Sequence, residues 1–240
     1  MKKSNIYIIT LSLLVGLIFG SISLSKNYVI EAFSKENSEN TPRLNRYDLK
    51  ENIYINNDIK IKYPQIVNLT DKEKQEGINK LIKDKAISAY DDTLNNLEKG
   101  STYEVDGSYD IKLANDKILS IAYDSFNNVT PSAHPFNMFY TTNINIETGK
   151  ELTINDFISN FDEKFINELK HARYVGSIDK IYEKQLFDEI FSYYSNNDEL
   201  IKAVKAAPFY INGDSIGISL PASHVFGDYA NLEIEFKDLK

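Results

Sequence analysis

Cysteine is absent from the 240 residues, and so is tryptophan. Without cysteine there is no disulfide, no thiolate nucleophile, no Cys-based zinc site and no lipoprotein-type cysteine anchor. Stability must come from packing alone. Without tryptophan, any flat platform for stacking a sugar has to be one of 16 Tyr or 13 Phe. Histidine is scarce, at positions 134, 171 and 224. A zinc site needs three or four ligands, usually with a close pair at helical or turn spacing, and these separations offer none. No metal or other cofactor is expected. Basic residues are outnumbered 27 to 35, for a net charge of −8. That balance argues against nucleic acid, which binds clustered Lys and Arg. It also argues against strong adhesion of the folded part to anionic lipid.

What is present suits one or two domains with a real core: 42% apolar and 26% charged residues. The chain opens MKKSNIYIITLSLLVGLIFGSISLSK, with Lys2 and Lys3 before an apolar stretch from Ile6 to Leu24. Charge before the stretch predicts an N-terminus left in the cytoplasm, and the length approaches the roughly 20 residues that span a bilayer. Residues 1–25 read either as a cleaved signal peptide or as an uncleaved anchor. Either way the rest is extracytoplasmic, secreted or held at the membrane through residues 6–24. Residues 26–50 are polar, rich in Ser, Asn and Glu, and read as a flexible stalk.

From residue 51 the patterns are those of an α+β fold. Residues 52–66 alternate as strand around a turn at Asn56-Asn57-Asp58. Thr70 to Glu73 has the form of a capping box opening one long helix, with Ile78, Leu81, Ile82, Ala86, Ala89, Thr93, Leu94 and Leu97 on one stripe and Gly100 at its end. An antiparallel meander of three strands follows, with turns at Asn115-Asp116 and after Phe126. The last third is helical, with caps expected at Thr153, Asp162, Asp179 and Asp198. A hairpin at Asn212-Gly213 and a final strand, Leu232, Ile234 and Phe236 alternating with Glu233 and Glu235, close the chain. Two subdomains are expected, 51–150 and 151–240.

The stretch NNVTPSAHPFNMF holds His134 in a loop bracketed by Pro131 and Pro135. Proline fixes φ and restricts its predecessor, so the loop is a rigid connector between strands. Rigid loops also present recognition side chains at low entropic cost. His134, Tyr123, Phe136 and Phe139 are therefore the candidate binding residues, and Phe126 joins them if its ring faces outward. Ser132 or Ser223 with His134 or His224 and Asp124 or Asp228 would compose a triad, but no G-x-S-x-G elbow exists.

Three segments carry a family resemblance: YPQI leading into the long helix, AYDSFNN…AHPFNMFYTTNINIETGKELTINDF at 122–157, and PFYINGDSIGISLPASHVFGDYANLEIEF toward the end. Over roughly residues 52–238 the chain resembles the paired domains of unknown function that accompany a peptidoglycan N-acetylmuramic acid deacetylase. It is also similar to the extracellular part of lysozyme-sensing anti-sigma factors, and more distantly to a secreted mycobacterial antigen. By that resemblance residues 51–150 are of the deacetylase-associated type and 151–240 of the anti-sigma extracellular type. The deacetylase's chemistry belongs to a separate metal-dependent domain, whose Asp-Asp and His-x-x-x-His set has no counterpart here; Asp91-Asp92 stands without such a partner. The resemblance implies an extracytoplasmic, envelope-associated, non-catalytic binding or sensing module, its ligand a cell-wall glycan or a wall-directed protein such as lysozyme. A wall-active hydrolase or deacetylase centred on His134, and a structural or partner-interaction protein of the envelope, are the alternatives.

Overall fold

A computed structural model describes residues 47–131, 134–176 and 178–239. The expected apolar span at 6–24, and the expected stalk up to residue 46, lie outside these. Among the described residues no helix is long and apolar enough to cross a membrane. The fold is α+β, built from two sheets. The first runs β1 (Asp48–Asn56), β2 (Ile59–Val67), β3 (Thr102–Ala114), β4 (Ile118–Thr130), β5 (Phe136–Asn145) and β6 (Lys150–Glu151), in that spatial order. The second is β7 (Arg173–Tyr174), β10 (Tyr229–Glu235), β9 (Ser215–Pro221) and β8 (Phe209–Asn212).

Both hairpin signals act through positive φ. Asn57 at +52° turns β1 into β2, and Gly213 at +60° turns β8 into β9; Asn and Gly bear that conformation at least cost. In each case the two-residue loop starts one position later than the sequence pattern placed it, because Asn56 pairs with Ile59 and Asn212 with Ser215. The β3–β4–β5 meander is antiparallel as expected. The first sheet is nevertheless mixed: β2 meets β3 in parallel at Ile59–Ile61, since the helix between them carries the chain back to the same end. Order also begins before residue 51. Tyr47 and Leu49 are buried and β1 starts at Asp48, so residues 48–50, assigned to the stalk, belong to the sheet.

The expected long helix is divided into α1 (Lys72–Ser88) and α2 (Asp91–Asn95). The cause is Tyr90, which leaves the helical path to enter the core between Tyr103 and Tyr140. Helix α1 is capped by Asp71, whose carboxylate accepts from Lys74 N–H at 3.0 Å, instead of by Thr70; Asp is the stronger cap. Ile78, Ile82 and Ala86 seal it onto the inner face of the first sheet, against Ile61, Ile66, Ile121 and Ile144. Where β2 runs beyond its short pairing with β3, the Asn79 carboxamide of α1 takes over. It donates to Ile66 C=O at 2.9 Å and accepts from Ile66 N–H at 2.8 Å.

In the last third, a 3-10 turn at Ile154–Asp156 has the expected reciprocal Thr153–Asp156 cap. Then come α3 (Glu163–Lys170), capped by Asp162, α4 (Lys180–Ser192) and α5 (Asn197–Ala206). Helix α5 is capped by Asn196 and not by Asp198: Asn196 accepts from Glu199 N–H while Glu199 accepts from Ser195 N–H. These helices and the second sheet enclose a second core, including Leu169, Leu186, Ile190, Val204, Ile218 and Leu232. On the opposite face of this sheet, toward Phe139 of the first sheet, Gly217 leaves room for the Tyr210 ring of the paired strand, which a Cβ would meet at 2.2 Å.

The final strand departs from simple alternation. Glu233 was expected on the solvent side, yet it is 5% exposed. Its carboxylate accepts from the Tyr210 hydroxyl at 2.9 Å and the Asn212 amide at 3.2 Å, and pairs with Arg173. Buried charge persists where it is paired and hydrogen-bonded.

The second sheet docks against the outer face of the first through polar contacts. Asn143 donates to Phe209 C=O at 2.7 Å and accepts from the Ser120 hydroxyl at 2.6 Å, and Ser120 in turn accepts from Ile211 N–H. Thr141 accepts from Phe209 N–H. Strand β8 thus lies across β4 and β5 and leaves their other ends uncovered.

Candidate binding face

Strand pleating assigns the candidate side chains to opposite faces. Tyr123 faces inward and is 1% exposed, its ring stacked on Tyr140 at 4.7 Å. A ligand arriving from solvent cannot reach it, so its role is packing and not recognition. Phe136 also packs against the first core. Phe139 faces outward but is taken up at the seam, 5.0 Å from the Tyr229 ring and 6.1 Å from Tyr210. His134 is exposed in the β4–β5 connector.

The residue the pattern could not single out is Phe126. It lies on the outer face of β4 beyond the reach of the second sheet, and is 45% exposed. Asp106 of β3 and Asn137 of β5 are its direct partners across the ladders, and partners across a ladder share a face. Asp124 and Asn128, two residues away along the strand, share it too. The ring therefore stands among two carboxylates and two carboxamides.

One side of this floor rises into a wall from the second sheet. A 3-10 turn at His224–Phe226 precedes Asp228, whose φ of +76° is a strained value for a non-glycine residue. That conformation turns its carboxylate toward both sheets. One oxygen faces His224 Nδ1 at 2.9 Å; the other accepts from the Asn137 backbone N–H at 2.7 Å and from its side-chain amide at 3.2 Å. His134 stacks on His224 with ring centres 6.1 Å apart. Two histidines ninety residues apart in sequence are thus neighbours, but among the described residues no three His, Asp or Glu side chains gather as a metal ligand set. Tyr229 completes the wall. Burial, and then the Asp124 carboxylate beside it, push its phenol pKa up. Behind the wall, Glu189 of α4 accepts from Ser223 N–H at 2.8 Å, Ser223 Oγ at 3.1 Å and the Tyr193 hydroxyl at 2.5 Å. The Tyr193 bond is the main reason its carboxyl pKa is lowered. Ser223 is committed to Glu189 and not to a histidine, so it does not form the triad that its position beside His224 suggested.

A separate cavity of about 580 Å³ lies between the Asp156–Phe165 segment and the chain's last residues, floored by Phe157, Phe165, Phe236 and Leu239. Its carboxylates already serve as helix caps: Asp156 to Thr153 and Asp162 to Phe165.

Residues 49–137 match the family described as Deacetylase PdaC. The match begins in β1, ends at Asn137 and contains the Phe126 floor, but not the second sheet. Two solved structures are similar over most of the chain. A DUF3298 family member from Bacteroides fragilis shares 11% identity at a TM-score of 0.44, covering 80% of this chain and 92% of its own. A DUF3298 family protein from Pseudomonas aeruginosa PAO1 shares 12% identity at a TM-score of 0.44, covering 80% and 90%. No curated protein matches the chain.

Proposed function

We propose that the folded body is a non-catalytic binding module displayed outside the membrane at the cell envelope, and that its ligand is cell-wall glycan. The observation that carries this reading is Phe126, an aromatic ring left half-open on a sheet face and surrounded by Asp106, Asp124, Asn128 and Asn137. A sugar presents an apolar ring face bordered by hydroxyls and amides, and this arrangement complements both. The PdaC match over the same strands and the apolar stretch behind Lys2 and Lys3 support a placement at the wall. The test is co-sedimentation of the full chain, in detergent micelles, with purified peptidoglycan, alongside a pull-down on lysozyme. Saturable retention by peptidoglycan is expected. Failure at high micromolar concentration would overturn the reading, and capture by lysozyme alone would replace it with a protein-sensing one.

A second reading is favoured by one observation, the His224–Asp228 pair with His134 stacked on it: a wall-active hydrolase or deacetylase at that edge. Turnover of muropeptides, measured with and without chelator, decides it, and unchanged turnover in His134→Ala removes the site.

A further inference from the structure

The register of four successive ladders aligns one residue from each of five strands. Ile55 of β1 pairs with Lys60, Lys60 with Asp106, Asp106 with Phe126, and Phe126 with Asn137. These five share the outer face and form one row perpendicular to the strands. Strands lie about 4.8 Å apart, so the row spans roughly 19 Å. Ile55 is 60% exposed, and Lys60, Asp106 and Phe126 are open to solvent as well. At the far end Asn137 is fixed by Asp228, which blocks the row with the wall of the second sheet. The opposite end is open past Ile55, beside the exposed Ile53.

Resting on the glycan reading, we propose that this row is the track for an extended, carboxylate-bearing oligosaccharide of about four sugars lying across the strands. A β-linked pyranose chain advances by roughly 5 Å per sugar, close to the separation of strands, so successive sugars meet successive residues of the row. Phe126 stacks on one ring, and Asp106 and Asn137 on either side of it meet hydroxyl and amide groups. Lys60, two strands away, receives the carboxylate; it takes part in none of the ion pairs among the described residues. Neighbouring Lys62 on the same face is only loosely paired, 4.0 Å from Glu51. A neutral chain would leave the Lys60 ammonium without an ion-pair partner among the described residues.

Titration calorimetry of the full chain in micelles tests this with three probes: a wall disaccharide, a wall tetrasaccharide whose lactyl carboxylates are free, and neutral chitotetraose. The wall tetrasaccharide is expected to bind about tenfold or more tightly than either other probe. Phe126→Ala should weaken both tetrasaccharides by about tenfold. Lys60→Gln should bring the wall tetrasaccharide down to the level of chitotetraose and leave chitotetraose unchanged. Both sites are exposed, so unchanged melting temperatures separate lost binding from lost fold. Equal affinity for disaccharide and tetrasaccharide, or unchanged binding in both variants, overturns the track. If peptidoglycan still retains those variants as it does the parent chain, the track alone fails and the module reading stands. If neither peptidoglycan nor any fragment binds the parent chain, both fail.

Discussion

On the inner face of β4 and β5, Tyr123 and Tyr140 stack beneath α1; on the outer face of the same strands, Phe126 is 45% exposed and its direct ladder partners, Asp106 and Asn137, are polar. The inner rings are tied into the fold by hydroxyls. Tyr140 donates to Ala86 C=O at 3.0 Å and accepts from Tyr90, while Tyr103 donates to Asn127 at 2.6 Å. The outer ring has no hydroxyl and no comparable cover. Aromatic content therefore does not mark a binding surface; what separates the two faces is whether another element covers them.

Four substitutions and one titration bear on that comparison. The largest effect is expected from Tyr123→Ala, which empties a ring-sized space in a sealed core and should cost about 3–5 kcal/mol in chemical denaturation. Next is Asn143→Ala at the seam. It orphans Phe209 C=O and the Ser120 hydroxyl, an expected loss of about 1–3 kcal/mol by the same measurement. Alkaline titration separates buried from open phenols. Burial pushes the Tyr103 phenol up to about 12, and it pushes Tyr90, Tyr123 and Tyr140 upward as well. Below pH 10 their stabilising contribution is complete. Above it, unfolded phenols near pH 10 release protons that the folded chain keeps, so the unfolded state binds fewer protons and stability falls. For Tyr103 the fall runs from about pH 10 to about 12, read as tyrosinate absorbance that rises late and together with unfolding. Tyr123→Phe should cost less than about 1 kcal/mol or stabilise, because the buried Tyr123 hydroxyl lacks a well-formed hydrogen bond. Smallest is Phe126→Ala, within about 0.5 kcal/mol. A loss as large as that of Tyr123→Ala would erase the distinction between the faces.

The legible parts of the fold were those written locally. Asn57 and Gly213 declare their turns through backbone conformation, and the alternation of Met138, Tyr140, Thr142 and Ile144 against Phe139, Thr141 and Asn143 sorts β5 into its two faces. Alternation, however, names two faces without saying what covers either. Phe126 and Phe139 have the same signature, and only the docking of the second sheet, a contact between distant segments, buries one and leaves the other open. The same gap explains Glu233, which reads as a solvent residue until Tyr210 and Arg173 arrive from other strands. Tyr90 shows a third kind of failure, a tertiary pocket that overrides a helical stripe. The site was legible as far as the neighbourhood of His134. The row from Ile55 to Asn137 depends on the register of four ladders, which no short window of sequence contains.

Asn79 has a consequence for how molecules of this chain behave toward one another. With one carboxamide it occupies both backbone groups of Ile66 that an additional strand would otherwise claim. It is a plug in a slot shaped for a strand. Replacing it with alanine leaves the slot to α1 alone, with both backbone groups of the fully buried Ile66 unpaired. A single amide and the helix that carries it thus close this stretch of β2 to a further strand.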